Sequence, residues 1–271
     1  MTTLNFDFSG KHVFVAGGSS GINFGIAQAF AKAGARISLI SRSAEKVDAA
    51  VAQLASTGAQ AWGTSADVRQ PAALDSAFAQ AAEKFGPIDV LISGAAGNFL
   101  ASVLDMSPNA FKTVIDIDLM GSFHVVRLAH AHLQKPGACV IQISAGQAFI
   151  PTPYQAHVCA AKAGIDMLTQ VLALEWGAQG IRINSIVPGP IADTEGLKRL
   201  APTADTLSAM TQRVPLKRLG AIEDIANMAM VLASDLGAFI TGTIIPVDGG
   251  LALTGPRDFS AAAAASRQEK T

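Results

Sequence analysis

The stretch "VFVAGGSSGINFGIAQAF", residues 13–30, decides the fold. A short apolar run leads straight into a glycine-serine cluster, and the cluster opens a segment whose apolar residues recur with helical period. This is the order strand, tight turn, helix. The spaced glycines Gly17, Gly21 and Gly25 leave backbone N–H groups at the helix start open to close approach, and Ser19 and Ser20 add hydroxyl donors. Such a turn can cradle a pyrophosphate. A glycine cluster alone can also be a plain tight turn; its place between a strand and a helix is what argues for a nucleotide.

The same unit repeats outward along the chain. Strand candidates are residues 12–17, 36–41, 59–67, 89–95, 138–144, 181–189 and 243–250, and helical segments fall at about 22–33, 44–56, 71–85, 108–134, 156–179 and 222–234. Several strands are apolar almost throughout, which is the pattern of strands buried on both faces. Ser107 followed by Pro108 supplies an N-cap and a first helical residue. The expectation is an α/β protein: one Rossmann-type domain over residues 1–255, a doubly wound seven-stranded parallel sheet with helices on both faces. Residues 190–213, after "VPGP", form the one long insertion and are expected to be a substrate lid with short helices, and residues 256–271 a flexible tail.

Composition narrows the function classes. Half of the 271 residues are hydrophobic and 15% are charged, with 20 basic and 21 acidic residues giving a net charge of −1. Without a basic stripe, neither a nucleic acid nor an anionic membrane surface is the expected partner, and a small molecule is. Cys139, Cys159 and the five histidines show no metal-ligand spacing, so no metal is expected. No basic leader followed by an apolar run opens the chain, no stretch approaches the roughly 20 apolar residues of a membrane span, and "SRQEKT" carries no peroxisomal tripeptide. The expectation is a cytoplasmic protein.

The second strand ends in Ser41, Arg42 and Ser43 instead of an acid. An acid there binds the 2′-hydroxyl of NAD, whereas an arginine accommodates the 2′-phosphate of NADP. The reading is NADP(H) in preference to NAD(H), against the alternative of a solvated loop arginine.

With the glycine loop, "ADV" at 66–68, "LISGAAG" at 91–97, "CAAKAG" at 159–164, "VPGPIADT" at 187–194 and "GTIIPVDGG" at 242–250 in this order, the chain resembles a short-chain dehydrogenase/reductase over residues 8–252. Within that family "SGAAGNFL", "FKTVIDIDLMGSF" and "PGPIADTEGLKRL" are similar to the 2,4-dienoyl-CoA reductase branch, particularly its peroxisomal form. The resemblance implies a cofactor held by Gly17, Ser19, Ser20, Gly21, Ile22, Ser41, Arg42, Asp67, Val68, Ala95, Lys162, Pro188, Gly189, Ile191 and Thr194. It implies Lys162 as the lysine on the nicotinamide ribose. It puts Asp118 where most of the superfamily has asparagine, and Asn98 and Phe99 where an acyl thioester passes. A homotetramer or homodimer through the two long helices is expected with it.

Val158 stands where the family keeps its proton-donating tyrosine, and Ala145 where it keeps a serine, although Ser144 is adjacent. Both absences argue against simple ketone reduction. Hydride addition to a conjugated thioester instead makes an enolate, which needs oxyanion donors and protonation at carbon. The expected activity is therefore reduction of a 2,4-dienoyl-CoA or related enoyl thioester, with Lys162, Asp118 and Asn98 at its centre. Asp118 and Lys162 can form a buried ion pair or bracket a proton-delivering water; alternatively Asp118 is a helix carboxylate satisfied by backbone or solvent, and Lys162 a surface lysine. Other readings stay open: a reductase of another carbonyl, enone or alcohol with Tyr154 or His157 as a displaced acid, and a cofactor-binding sensor or assembly subunit without turnover. The alternative for Tyr154 and His157 is a side chain that is merely packed or exposed, and Gln147 and Cys159 are weaker candidates. Two further departures stand out: Asn23 replaces the third glycine of the phosphate loop, where it is expected to adopt a left-handed backbone and narrow the pyrophosphate site, and Ser93 replaces the asparagine that opens the next turn.

Overall fold

The computed structural model describes residues 5–255; the tail expected over 256–271 lies outside the described residues. The chain runs β1 (His12–Ala16), α1 (Gly21–Lys32), β2 (Arg36–Ser41), α2 (Ala44–Ser56), β3 (Ala61–Ser65), α3 (Pro71–Phe85), β4 (Val90–Ser93) and α4 (Pro108–Val114). A π-helical turn (Ile115–Met120) joins α4 to α5 (Gly121–Ala129). Then come β5 (Cys139–Ile143), α6 (Ala156–Trp176), β6 (Arg182–Pro188), α7 (Glu195–Leu200), α8 (Ala204–Arg213), α9 (Ile222–Ala233) and β7 (Ile244–Val247).

All strand pairings are parallel, and the sheet order is β3-β2-β1-β4-β5-β6-β7. Alternation along each strand splits the core into two layers. Val13, Val15, Ile37 and Leu39 face α1, α2 and α9, while Phe14, Ala16, Leu91 and Val140 face α3, α5 and α6. Phe14, Phe30 and Phe78 are wholly buried, each stabilising the fold by about 1.5–3 kcal/mol through lost apolar surface. Because β1 is central, its neighbours diverge to β2 on one side and β4 on the other, and the crevice at that switch point opens above Ala16.

The segment expected as one helix over 108–134 is interrupted. Its N-terminal cap is as expected, Ser107 Oγ accepting from Ala110 N at 3.1 Å, but the π-helical turn widens it at 115–120 and a 3₁₀ turn ends it at His130–His132. The extra residue of a π turn re-aims the side chains around it, a device common at functional sites. Here Asp118 turns inward and is fully buried, while Asp116 stays outside, paired with Lys112.

α6 buries one long face, from His157 and Val158 through Lys162, Ile165, Asp166 and Thr169 to Leu172. Gly164 makes this docking possible, since a Cβ there would come within 2.9 Å of Leu119 in the π turn. Gly25, grouped above with the phosphate-loop glycines, serves packing instead: a Cβ there would lie 2.0 Å from Ile222 of α9.

Candidate active site

The crevice at the carboxyl ends of β1, β2 and β4 holds a cleft of about 310 Å³ lined by Gly17, Ser19, Ser20, Asn23, Ser41, Arg42, Lys46, Asp67, Val68 and Ala95. A larger hollow of about 870 Å³ sits at the opposite ends of the strands, around Gly10, Lys32 and Arg36, away from every residue with candidate chemistry. Gly17 has φ +77°, and a Cβ there would meet the Ala95 backbone at 2.9 Å. Gly21 begins α1 at φ +57° with open space beside it. The loop is thus a backbone-lined hollow at the start of a twelve-residue helix, the shape and polarity a pyrophosphate needs.

Ser19 Oγ donates to Ser41 Oγ at 2.8 Å, tying the loop to the end of β2. Arg42 and Lys46 flank that end and make no ion pair among the described residues, leaving two cations for an anionic group. Lys46 was not singled out from sequence; its signal is the four-residue spacing from Arg42 at the start of α2. Asp67 is held by Arg69, its Oδ1 accepting from Nε at 3.0 Å, and Val68 O accepts from His124 Nδ1 at 3.0 Å, so the "ADV" turn is rigid on the crevice rim. These residues fit a dinucleotide carrying an extra phosphate.

Asn23 differs from expectation. It lies inside α1 with no left-handed backbone, and its Nδ2 donates to Gly94 O at 2.8 Å and Gly17 O at 3.3 Å. The amide therefore joins the phosphate loop to the turn after β4, while the residue also lines the cleft.

On the other side of β4, Asp118 and Lys162 come together. Asp118 Oδ1 accepts from Gly97 N at 2.7 Å, Lys162 Nζ donates to Ile143 O at 3.0 Å, and Nζ stands 3.6 Å from Asp118 Oδ2. Both residues are buried, and among the described residues Oδ2 has no hydrogen-bond partner. Burial pushes the Asp118 carboxyl above the usual carboxylate range, opposed by the Lys162 charge and the Gly97 N–H. Val158 is buried on the same face of α6, one turn before Lys162, so the place of the family's tyrosine is apolar.

His157 is buried against Phe99, ring centroids 4.2 Å apart, with neither ring nitrogen hydrogen-bonded among the described residues. Burial lowers its pKa, against the pull of Asp118. Tyr154 points away: 63% of it is exposed, on a left-handed backbone at φ +65°. Asn98 accepts at Oδ1 from Gln155 Nε2 at 2.7 Å, and its carbonyl accepts from Arg199 of α7 at 3.2 Å. Thr194 caps α7, accepting from Leu197 N at 3.2 Å and donating to Ile191 O at 2.8 Å. Gly189 lets the chain after β6 pass Asp248, whose Cα a Cβ there would approach to 2.6 Å.

A parallel sheet with this strand order, a glycine cradle at the switch point and a lysine one turn beyond the usual acid position define a class of nicotinamide-dependent oxidoreductases. A family model described as enoyl-(acyl carrier protein) reductase matches residues 16–252, and the chain belongs to the short-chain dehydrogenase/reductase family. Within it, the chain is 43% identical over 250 residues to the peroxisomal 2,4-dienoyl-CoA reductase [(3E)-enoyl-CoA-producing] of Pongo abelii, covering 92% of this chain and 86% of that one. It is 36% identical to a probable 2,4-dienoyl-CoA reductase [(2E)-enoyl-CoA-producing] of Bacillus subtilis, covering 89% and 96%. Among solved structures it is similar to a short chain dehydrogenase from Bacillus anthracis, with 38% identity, a TM-score of 0.82 and 89% and 96% of the two chains covered. Among the described residues, no helix is long and apolar enough to cross a membrane.

Proposed function

We propose that this oxidoreductase reduces a 2,4-dienoyl-CoA or closely related enoyl thioester with NADPH. The observation that carries the reading is the buried Asp118–Lys162 pair beside an apolar Val158: a site with a proton-handling carboxylate but no tyrosine aimed at a carbonyl oxygen. The names of the relatives point to the same substrate class.

Gly17, Ser19, Ser20, Gly21 and Ile22 hold the pyrophosphate, Ser41 and Arg42 with Lys46 the 2′-phosphate, and Asp67 and Val68 the adenine. Ala95, Lys162, Pro188, Gly189, Ile191 and Thr194 line the nicotinamide half. When bound, the reduced nicotinamide supplies a hydride to the conjugated acyl chain, which leaves an enolate oxygen to stabilise and a carbon to protonate. Asn98 offers its side-chain N–H to that oxygen, and the Lys162 charge favours the anion. Asp118 Oδ2 and the spare N–H groups of Lys162 hold one water, which gives a proton to carbon as it takes one from the protonated Asp118 carboxyl, itself reprotonated from solvent before the next turnover. Burial raises the pKa of Asp118 above that of a free carboxyl, which favours the protonated form needed to pass a proton on. Residues 190–213, with α7 and α8, act as the lid, Arg199 latching it to Asn98. The exposed apolar side chains Phe123 on α5 and Met167, Val171 and Leu174 on α6 are covered in a homotetramer or homodimer.

The test is NADPH oxidation with a 2,4-dienoyl-CoA, the matching 2-enoyl-CoA and a 3-ketoacyl-CoA in parallel. Turnover of the dienoyl compound, lost in Lys162→Ala and Asp118→Ala, is expected. Turnover of the ketone alone refutes the substrate; NADPH binding without any turnover favours a sensor.

A further inference from the structure

Gln155 occupies the N-cap position of α6, yet its side chain caps nothing. It is 1% exposed and spans two other amides. Gln147 Nε2 donates to its Oε1 at 2.7 Å, and its own Nε2 donates to Asn98 Oδ1 at 2.7 Å. Three amides thus run head to tail from the 3₁₀ turn after β5, through the start of α6, to the loop after β4. An amide has one acceptor end and one donor end. Once Asn98 Oδ1 accepts from Gln155, the Asn98 NH₂ must face the other way, and among the described residues it has no protein partner.

The backbone around Asn98 is pinned as well: Gly97 N donates to Asp118, Asn98 O accepts from Arg199, and Ala101 N donates to Tyr154 O at 3.0 Å. The loop cannot turn as a unit, so the direction of the Asn98 amide is set by its side-chain partner. We infer that Gln155 is a positioning residue that turns the Asn98 NH₂ away from itself, so that Asn98 offers the substrate a hydrogen-bond donor and never an acceptor. This rests on the proposed reaction only in what the donor is for: an oxygen that gains negative charge attracts an N–H and is repelled by a carbonyl.

Gln155→Glu reverses the arrangement at a cost of no volume. A carboxylate still accepts from Gln147, but it cannot donate to Asn98, whose NH₂ must swing toward the carboxylate and leave Oδ1 on the side the NH₂ had faced. The charged and titratable groups around the new acid are its sequence neighbours Tyr154, His157 and Cys159, Lys162 further along α6, and Arg199 and Asp118 bound to the Asn98 and Gly97 backbone, all present in the wild type as control. With the dienoyl-CoA, kcat should fall about 100-fold at pH 8, the loss typical of one oxyanion donor. KM should move less than about threefold. Activity should recover toward acid pH, where the introduced carboxyl regains a proton to donate; Gln155→Leu shows no such recovery.

A second readout needs no substrate. In deuterated protein labelled with 15N-asparagine, the Asn98 side-chain amide is assigned by its loss in Asn98→Asp. Its hydrogens should exchange rapidly with solvent in the wild type and become protected in Gln155→Glu. Slow exchange already in the wild type would overturn the inference whatever the substrate is. Correct exchange behaviour with no dienoyl-CoA turnover refutes the proposed function and leaves the amide orientation standing. Should Gln155→Glu fail to bind NADPH or to fold, the wild-type exchange rate still decides.

Discussion

Replacing Lys162 with methionine removes a charge while keeping the length of the side chain, and it leaves Asp118 buried with a single N–H from Gly97. Breaking a buried ion pair from one side costs about 3–5 kcal/mol, because the remaining charge has lost its compensation. The 3.6 Å separation and the surviving Gly97 bond place the expected loss at the lower end, about 3 kcal/mol at pH 8. With a urea m-value of about 3 kcal/mol per molar, the midpoint moves down by roughly 1 M.

The pH dependence gives the sharper criterion. The pKa of Asp118 is already raised in the folded protein, and losing Lys162 raises it further. For a raised carboxyl, stability is fully present below the unfolded value, near 3.8, and is lost as pH rises through the folded value. The deficit of Lys162→Met should therefore shrink as pH falls from 8.5 to 5.5. Asp118→Asn in the Lys162→Met background should restore more than half of it at pH 8. The assay is urea unfolding followed by Trp62 and Trp176 fluorescence at fixed protein concentration. A loss below about 1 kcal/mol at pH 8, or one equal at both pH values, would refute the reading of a coupled buried pair.

Three other outcomes follow from the same coordinates. Burial pushes the Cys139 thiol up to about 11, so wild-type stability should fall by about 2–3 kcal/mol between pH 9 and 11, and Cys139→Ala should flatten that slope in denaturation curves. Gly25→Ala should destabilise by about 1–3 kcal/mol through its clash with Ile222, whereas in an Ile222→Ala background the same change should stabilise by up to about 1 kcal/mol, as alanine does in an open helix. Arg42→Ala with Lys46→Ala should weaken NADPH binding, read by fluorescence titration, about 100-fold while leaving NADH nearly unchanged; an equal loss for both cofactors would mean that neither cation meets the 2′-phosphate.

The sheet was legible because its strands are nearly uninterrupted apolar runs, and no local feature competes with that signal in 36–41 or 138–144. The turns of chain that carry the candidate chemistry were less so. "IDIDLM" keeps enough helical character to read as plain α-helix, and only the docking of Leu119 against Gly164 reveals the widened turn that sends Asp118 in and Asp116 out. Asn23 looked like an obstruction because sequence shows a side chain replacing a glycine, and says nothing about two carbonyls waiting 2.8 and 3.3 Å away. Gln155 gave no signal at all: its role depends on partners 8 and 57 residues distant.

The Asn23 bridge also constrains how this sequence can change. A Cβ at Gly94 would stand 2.2 Å from the Asn23 amide, so no side chain enters position 94 while Asn23 is present. Returning position 23 to glycine first strips both carbonyls of their donor. Either single step is penalised. Residues 23 and 94, 71 positions apart, therefore act as one packed unit, and a chain that keeps Asn23 but carries a side chain at position 94 should be destabilised at this seam even where every other residue is compatible.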